Sequence, residues 1–216
     1  MKHLSQQQVY DLDNRYRAHL INSLSGFKSA NLIGTADNTG AANLAIFSSV
    51  VHLGASPALV GFIMRPDSAE RHTLSNIKAL GQYTINQVNR SIWQQAHQTS
   101  ARYLKTQSEF EETGLTPEFI AGISAPFVEE SQLKYALTLK DIMPISLNKT
   151  MMIIGEITDI YYPSQHITSD GYIDIEALDT VAVTGLDNYH VGNRLGRLSY
   201  AKPGKSPQLM SDTKER

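Results

Sequence analysis

The chain contains no cysteine, only one tryptophan and no long apolar run. Without cysteine it can form no disulfide, no thiolate metal site and no cysteine nucleophile. Its apolar stretches, such as Ala58 to Met64, fall far short of the roughly 20 residues that cross a bilayer. After Lys2 the sequence runs into Gln6-Gln7-Gln8 with no apolar segment of the signal-peptide kind, so a cytoplasmic protein without a membrane partner is expected. Charge of one sign is also missing: 19 Lys and Arg stand against 21 Asp and Glu, a formal −2. That balance excludes a binder driven electrostatically to nucleic acid or another polyanion. No internal repeat and no low-complexity block occurs. What remains is a chain of 216 residues, long enough to bury a core and still one domain, since barrels of roughly 200–250 residues often stay undivided.

The common catalytic signatures are absent as well. There is no G-x-G-x-x-G and no Walker loop. The nearest approach to a hydrolase elbow, Gly122-Ile123-Ser124-Ala125-Pro126, lacks the second glycine. The seven histidines show no H-E-x-x-H spacing, so no metal site is expected. The pairs Glu111-Glu112 and Glu129-Glu130 are adjacent on the chain and point apart, which suits a solvated surface better than a glycosidase pair.

Apolar periodicity is weakly helical up to about Phe27, through Val9, Leu12, Tyr16, Leu20 and Leu24. Short β-like runs follow. Ala30 to Thr35 leads through the turn formers Ala36 to Gly40 into Ala41 to Val51, where Leu44, Ile46, Ser48 and Val50 share one face at period two. Ala58 to Met64 reads as a buried strand. A short helix carries Leu74, Ile77 and Leu80 and stops at Gly81. Gln82 to Val88 is a strand and Ser91 to Ser100 a helix, whereas Ala101 to Ser124 is polar and broken. Leu133, Tyr135, Leu137 and Leu139 alternate with polar residues and predict a half-buried strand; Thr150 to Tyr162 is another strand, and Gly171 to Val183 a turn with a short element. The expected division is a domain over 1–202 and an arm or tail over 203–216. Strands dominate without regular βαβ alternation, so the fold class is mainly β with inserted helices, an antiparallel barrel.

One region does not read as plain core. In Asn43-Leu44-Ala45-Ile46-Phe47-Ser48-Ser49-Val50-Val51-His52, small and hydroxyl residues interrupt a strand that large β formers should fill. Such a break is either a bulge or a backbone that approaches a flat or anionic ligand, with hydroxyl and N–H donors. About 20 residues later, Ser68-Ala69-Glu70-Arg71-His72-Thr73 opens the short helix. It is either an ordinary cap or an anion site in which Arg71 adds a charge to the helix start.

These residues together resemble the flavin reductase-like family. The resemblance rests on Asn43-Leu44-Ala45 to Ser48-Ser49, Pro57 to Phe62, Arg71-His72-Thr73 with Asn76-Ile77, and Gly81-Gln82-Tyr83-Thr84-Ile85-Asn86. Further along, Gln95 to Ala101, Ser108-Glu109-Phe110-Glu111, Gly185 to His190, Arg194-Leu195 and Tyr200-Ala201-Lys202 resemble its flavoredoxin-like branch. Many relatives have Lys-Asp-Thr at Arg71-His72-Thr73 and Pro-Pro at Pro57-Ala58. The resemblance implies an FMN-binding split β-barrel of Greek-key-like antiparallel order, a homodimer, and FMN rather than FAD, with NAD(P)H as transient co-substrate. By that resemblance, Asn43, Ala45, Phe47, Ser48, Ser49 and Val50 serve the flavin ring and ribityl chain. Arg71, Thr73 and Ser68 serve the phosphate, with Arg65 competing for Arg71's role. His97, Thr99 and Ser100 form the site wall, although His97 reads equally as a structural hydrogen-bonder. The implied activity is hydride transfer from NAD(P)H to flavin, which needs no dedicated acid or base because the chemistry resides in the cofactor. Two alternatives remain: an FMN electron carrier reduced by a redox protein partner, and a flavin-free dimeric scaffold.

Overall fold

The structure, a computed structural model, describes residues 1–65, 72–104 and 106–210. It opens with two short helices, α1 (Gln6–Tyr10) and α2 (Asn14–Ser23). Asp13 separates them by accepting from the N–H groups of Arg15 and Tyr16, which caps α2. Strands follow: β1 (Lys28–Ser29), β2 (Asn31–Ala36), β3 (Ala42–Phe47), β4 (Val51–Ala55) and β5 (Ala58–Met64). Helix α3 (His72–Leu80) ends at Gly81, whose φ of 68° suits glycine, and leads into β6 (Gln82–Gln87). Helices α4 (Trp93–Gln98) and α5 (Glu109–Thr113) precede β7 (Pro117–Glu118), β8 (Phe127–Val128) and the long strands β9 (Lys134–Ile145) and β10 (Thr150–Tyr161). The chain continues with β11 (Val181–Thr184), β12 (Asn188–Val191), β13 (Arg197–Leu198) and β14 (Leu209–Met210).

The main sheet has seven antiparallel strands in the order β3-β2-β6-β9-β10-β5-β4. Its two end strands, β3 and β4, are consecutive in the chain and only residues 48–50 join them, so the sheet must curl until its ends meet. Ser49 fastens that junction. Its hydroxyl accepts from the Ile63 N–H at 3.0 Å and donates to the Ile63 carbonyl at 3.2 Å, doing for β5 what a strand neighbour would do. β1, β11 and β12 form a separate three-stranded sheet, and β13 with β14 a C-terminal ribbon.

Two apolar clusters fill the molecule. Ile33, Phe62, Tyr83, Ile85, Leu137 and Ile153 pack inside the curl, beneath Leu74 and Ile77 of α3. Leu32, Leu44, Val88, Ala96, Phe110 and Val183 pack on its outer side, where α4, α5 and the small sheet cover it. Full burial of a side chain such as Phe62 or Leu32 stabilises by roughly 1.5–3 kcal/mol. All six residues of β2 are buried because both faces of that strand are covered.

Three expectations change. The strand expected over Ala41 to Val51 breaks at 48–50, and its single face splits: Leu44 and Ile46 join the outer cluster, whereas Val50 joins the inner one. Ser49 bonding to β5 in place of β2 is the cause. The alternating strand is not half-buried, since Lys134 and Ala136 on its other face are 9% and 2% exposed. Strands β7 and β8 lie over that face, and the Lys134 ammonium donates to the Glu118 carboxylate and to the carbonyls of Val128 (3.1 Å) and Glu129 (3.4 Å). The broken region 101–124 holds α5, which Gly114 terminates at φ 71°. No described helix is long and apolar enough to cross a membrane, and no cluster of metal-ligating side chains occurs among the described residues.

Candidate functional site

β3 is an edge strand, so every second N–H along it lacks a strand neighbour. Leu44 shows which ones. Its N–H donates at 3.1 Å to Oε2 of Glu109, the first residue of α5, and therefore points away from β2. By alternation the Ile46 N–H points the same way. Beyond it lie Ser48, Ser49 and Val50, all half-buried, whose N–H groups find no acceptor among the described residues. A run of backbone donors beside a curled, apolar barrel wall suits a flat ligand with acceptors along one edge.

The other expected strand residues face elsewhere. Asn43, Ala45 and Phe47 stand opposite Thr35, Ile33 and Asn31 and point into the barrel. Phe47 meets the Phe62 ring edge-on, 5.0 Å between centroids. The Asn43 amide donates to the hydroxyls of Thr35 (3.2 Å) and Thr73 (3.0 Å), and Asn76 donates to the same Thr35 oxygen at 3.2 Å. Thr73 is 6% exposed. Asn43 and Thr73, 30 residues apart in sequence, are thus brought together as a buried polar tie between β3 and the first turn of α3. The Ser49 hydroxyl bonds to Ile63, so any ligand contact from Ser49 falls to its N–H. Arg65 follows β5 and is exposed; Ser68 and Arg71 lie outside the described residues.

α4 packs against β3 and carries the remaining candidates. His97 Nδ1 lies 3.0 Å from the Tyr189 hydroxyl of β12, and the Trp93 ring lies 5.4 Å from that of Tyr189. The Thr99 hydroxyl donates back to the Ala96 carbonyl at 2.8 Å and is buried, which removes it from the wall; Ser100 is exposed.

Sequence reasoning gave no role to Glu109 or Tyr189. Burial raises the Glu109 carboxyl above its ordinary value, against hydrogen bonds from its own N–H and that of Leu44 and the nearby His72. The Nε2 atom of His72 is buried without a hydrogen-bond partner among the described residues. Burial, and then Asp187, raise the Tyr189 phenol. Both residues stand within motifs that carried the family resemblance, but periodicity could not reach them: Glu109 opens a helix of only five residues, and Tyr189 lies in a four-residue strand.

Residues 24–175 match the model of the flavin reductase like domain. A solved protein of Shewanella frigidimarina, assigned as a flavin reductase with split barrel domain, is 55% identical; the match covers 93% of this chain and 100% of that one, with a TM-score of 0.90. Component B of nitrilotriacetate monooxygenase from Bacillus cereus shares the fold at 19% identity and TM-score 0.80, over 92% of this chain and 98% of its own. Flavoredoxin of Desulfovibrio vulgaris shares it at 21% identity and TM-score 0.69, over 84% and 93%.

Proposed function

This chain belongs to the flavin reductase-like domain family, and from that premise we propose that it binds FMN and transfers hydride or electrons from NAD(P)H to a flavin. The observation that carries the reading is the half-buried 48–50 backbone, three N–H donors without acceptors among the described residues, following the edge strand β3. Those donors and the Ile46 N–H suit the acceptor-rich edge of an isoalloxazine ring, and the Ser48 hydroxyl suits the ribityl chain. Arg71, Ser68 and Arg65 are assigned to the phosphate, whose two negative charges favour FMN over riboflavin. Thr73 acts indirectly, by fixing the start of α3 through Asn43. His97, with Tyr189, and Ser100 form the wall on the α4 side.

When bound, FMN supplies hydride acceptance, and the chain supplies position and electrostatics. Fixed N–H donors along the ring's polar edge favour the added negative charge of the reduced form without any proton transfer by a side chain. The reading includes a homodimer in the cytoplasm, with a second subunit covering the open flavin face. Solved neighbours that are a flavin reductase by assignment and a flavoredoxin support the flavin part.

Two measurements test it. FMN fluorescence should be quenched on titration with the protein at micromolar concentration; no quenching at tens of micromolar supports the scaffold instead. Anaerobic addition of NADH or NADPH to the FMN-loaded protein should then bleach the flavin band. A flavin that binds but is not bleached by either nucleotide overturns the reductase and supports the electron carrier.

A further inference from the structure

Glu109 is the one buried carboxylate among the described residues, and the hydride chemistry proposed above gives it no part. It is the first residue of α5, 8% exposed, and its Oε2 accepts the Leu44 N–H at 3.1 Å. That N–H belongs to the outward row of β3, the edge of the main sheet. The next donor in the row is Ile46, followed by Ser48, Ser49 and Val50, whose N–H groups find no acceptor among the described residues. Glu109 thus fills the Leu44 place in the row, and a ligand held by the Ile46 N–H fills the next. Two residues of strand, about 7 Å, separate the two places.

The carboxyl is set to respond to charge arriving there. Burial raises it above its ordinary value, against its own N–H, the Leu44 N–H and the charge of His72. His72 opens α3 and is the titratable group that reaches Glu109 from that side. Strand β3 has no ionisable side chain between Ala42 and Phe47. On α5 itself Glu111 and Glu112 are exposed, and Glu112 accepts from Gln107 at 3.0 Å. On α4, His97 is held by the Tyr189 hydroxyl. The exposure that Glu109 keeps lets a proton arrive from solvent.

We propose that Glu109 couples protons to the reaction: it takes one proton from water when negative charge is added to a ligand at the Ile46 place. A hydride carries two electrons and one proton, so its delivery from NAD(P)H to a neutral ring adds one negative charge. Glu109 cancels that charge by passing from carboxylate to carboxylic acid. Its Oε2 keeps the Leu44 N–H in both forms, because a carboxylic acid still accepts through its carbonyl oxygen. Glu109 acts across the strand edge by its field alone, as a positioning residue. Like charges about 7–10 Å apart, at an effective dielectric of about 20, change proton affinity roughly ten- to fiftyfold. The inference rests on the FMN reading and adds the proton linkage of that same site. It defines a pH window, between the proton affinities of Glu109 before and after reduction, in which the proton is taken up.

The test uses the FMN-loaded full chain and an electrode with mediators, so it does not depend on a nicotinamide. Each proton taken up with two electrons steepens the midpoint potential by about 30 mV per pH unit. The wild type should show one such added slope over a window of roughly 1–2 pH units, and Glu109→Gln should lack it. At the alkaline end of the window the variant should lie about 30–50 mV above the wild type, which is the ten- to fiftyfold change converted at about 30 mV per decade. At the acid end the two should coincide. Reduced-minus-oxidised infrared spectra within the window should show the carbonyl band of a carboxylic acid, which shifts with ¹³C-glutamate and vanishes in the variant. Parallel potentials overturn the proposal. So does a wild-type spectrum without the band, a result that needs no variant to fold. A chain that fails to quench FMN fluorescence removes the underlying reading, whereas one that quenches it and gives parallel potentials keeps the FMN site and loses the proton coupling.

Discussion

Glu109 supplies an acceptor to an N–H that no strand can reach, at the cost of burying a carboxylate. Its folded pKa lies above the ordinary 4.5 because burial disfavours the charge. The folded state therefore holds that proton more firmly than the unfolded chain does. The resulting stability is complete below about 4.5 and is lost as pH rises through the raised folded value. Glu109→Gln keeps an acceptor for Leu44 and has no charge to lose, so it should gain on the wild type as pH rises from about 4 towards neutral. Glu109→Ala strands the Leu44 N–H and should cost about 1–3 kcal/mol throughout. Urea unfolding across that pH range checks both, and a Gln variant that merely parallels the wild type would sink the argument. The phosphate is a second question at this scale. Arg71→Ala should weaken FMN about 10- to 150-fold, the loss of a charge-assisted bond worth roughly 1.5–3 kcal/mol, and leave riboflavin unchanged. Arg71→Lys should fall between, because it keeps the charge and loses the fork. If only Arg65→Ala shows the loss, the phosphate is held from the end of β5. If FMN and riboflavin weaken equally, the phosphate assignment is wrong.

At the scale of elements, the β3–β4 junction depends on one hydroxyl. Ser49→Ala removes both bonds to Ile63 and leaves two half-buried backbone groups without that partner, so it should destabilise by about 1–3 kcal/mol, seen as a lower urea midpoint at unchanged slope. An unchanged midpoint would mean that the barrel closes without Ser49. The sequence shows this place clearly, because Ser48-Ser49 interrupts a strand of larger residues, but it cannot assign the hydroxyl. Bonding to a ligand and bonding to β5 require the same donor and acceptor. The barrel itself is legible for a physical reason: period-two runs bounded by turn formers mark strands, and the lack of βαβ alternation excludes a parallel sheet. Lys134 shows where that reasoning stops. Alternation assigns it to solvent, whereas β7 and β8 fold over it and three oxygens satisfy its ammonium. The tie from Asn43 to Thr35 and Thr73 is hidden for the same reason, since its partners are distant in sequence. Local pattern carries the strands, and tertiary coverage decides which polar residues are buried.

For the whole molecule, the proposed FMN site and the proposed dimer would act on one folding equilibrium and can be separated by mass action. A ligand that binds only the folded chain stabilises it by about 2.7 kcal/mol at a hundredfold excess over Kd. For a chain of 216 residues this raises Tm by roughly 5–11 °C, taking about 2–4 °C per kcal/mol. FMN should produce that rise, and riboflavin at the same concentration a smaller one, because it lacks the phosphate that Arg71 or Arg65 would hold. Dimerisation predicts a different dependence: without flavin, Tm should climb with protein concentration, since folding is then linked to association. A wild-type Tm that responds to neither flavin would remove the FMN site, whatever the concentration series showed. A Tm that responds to FMN yet not to protein concentration would place the flavin in a barrel whose stability does not depend on a second chain.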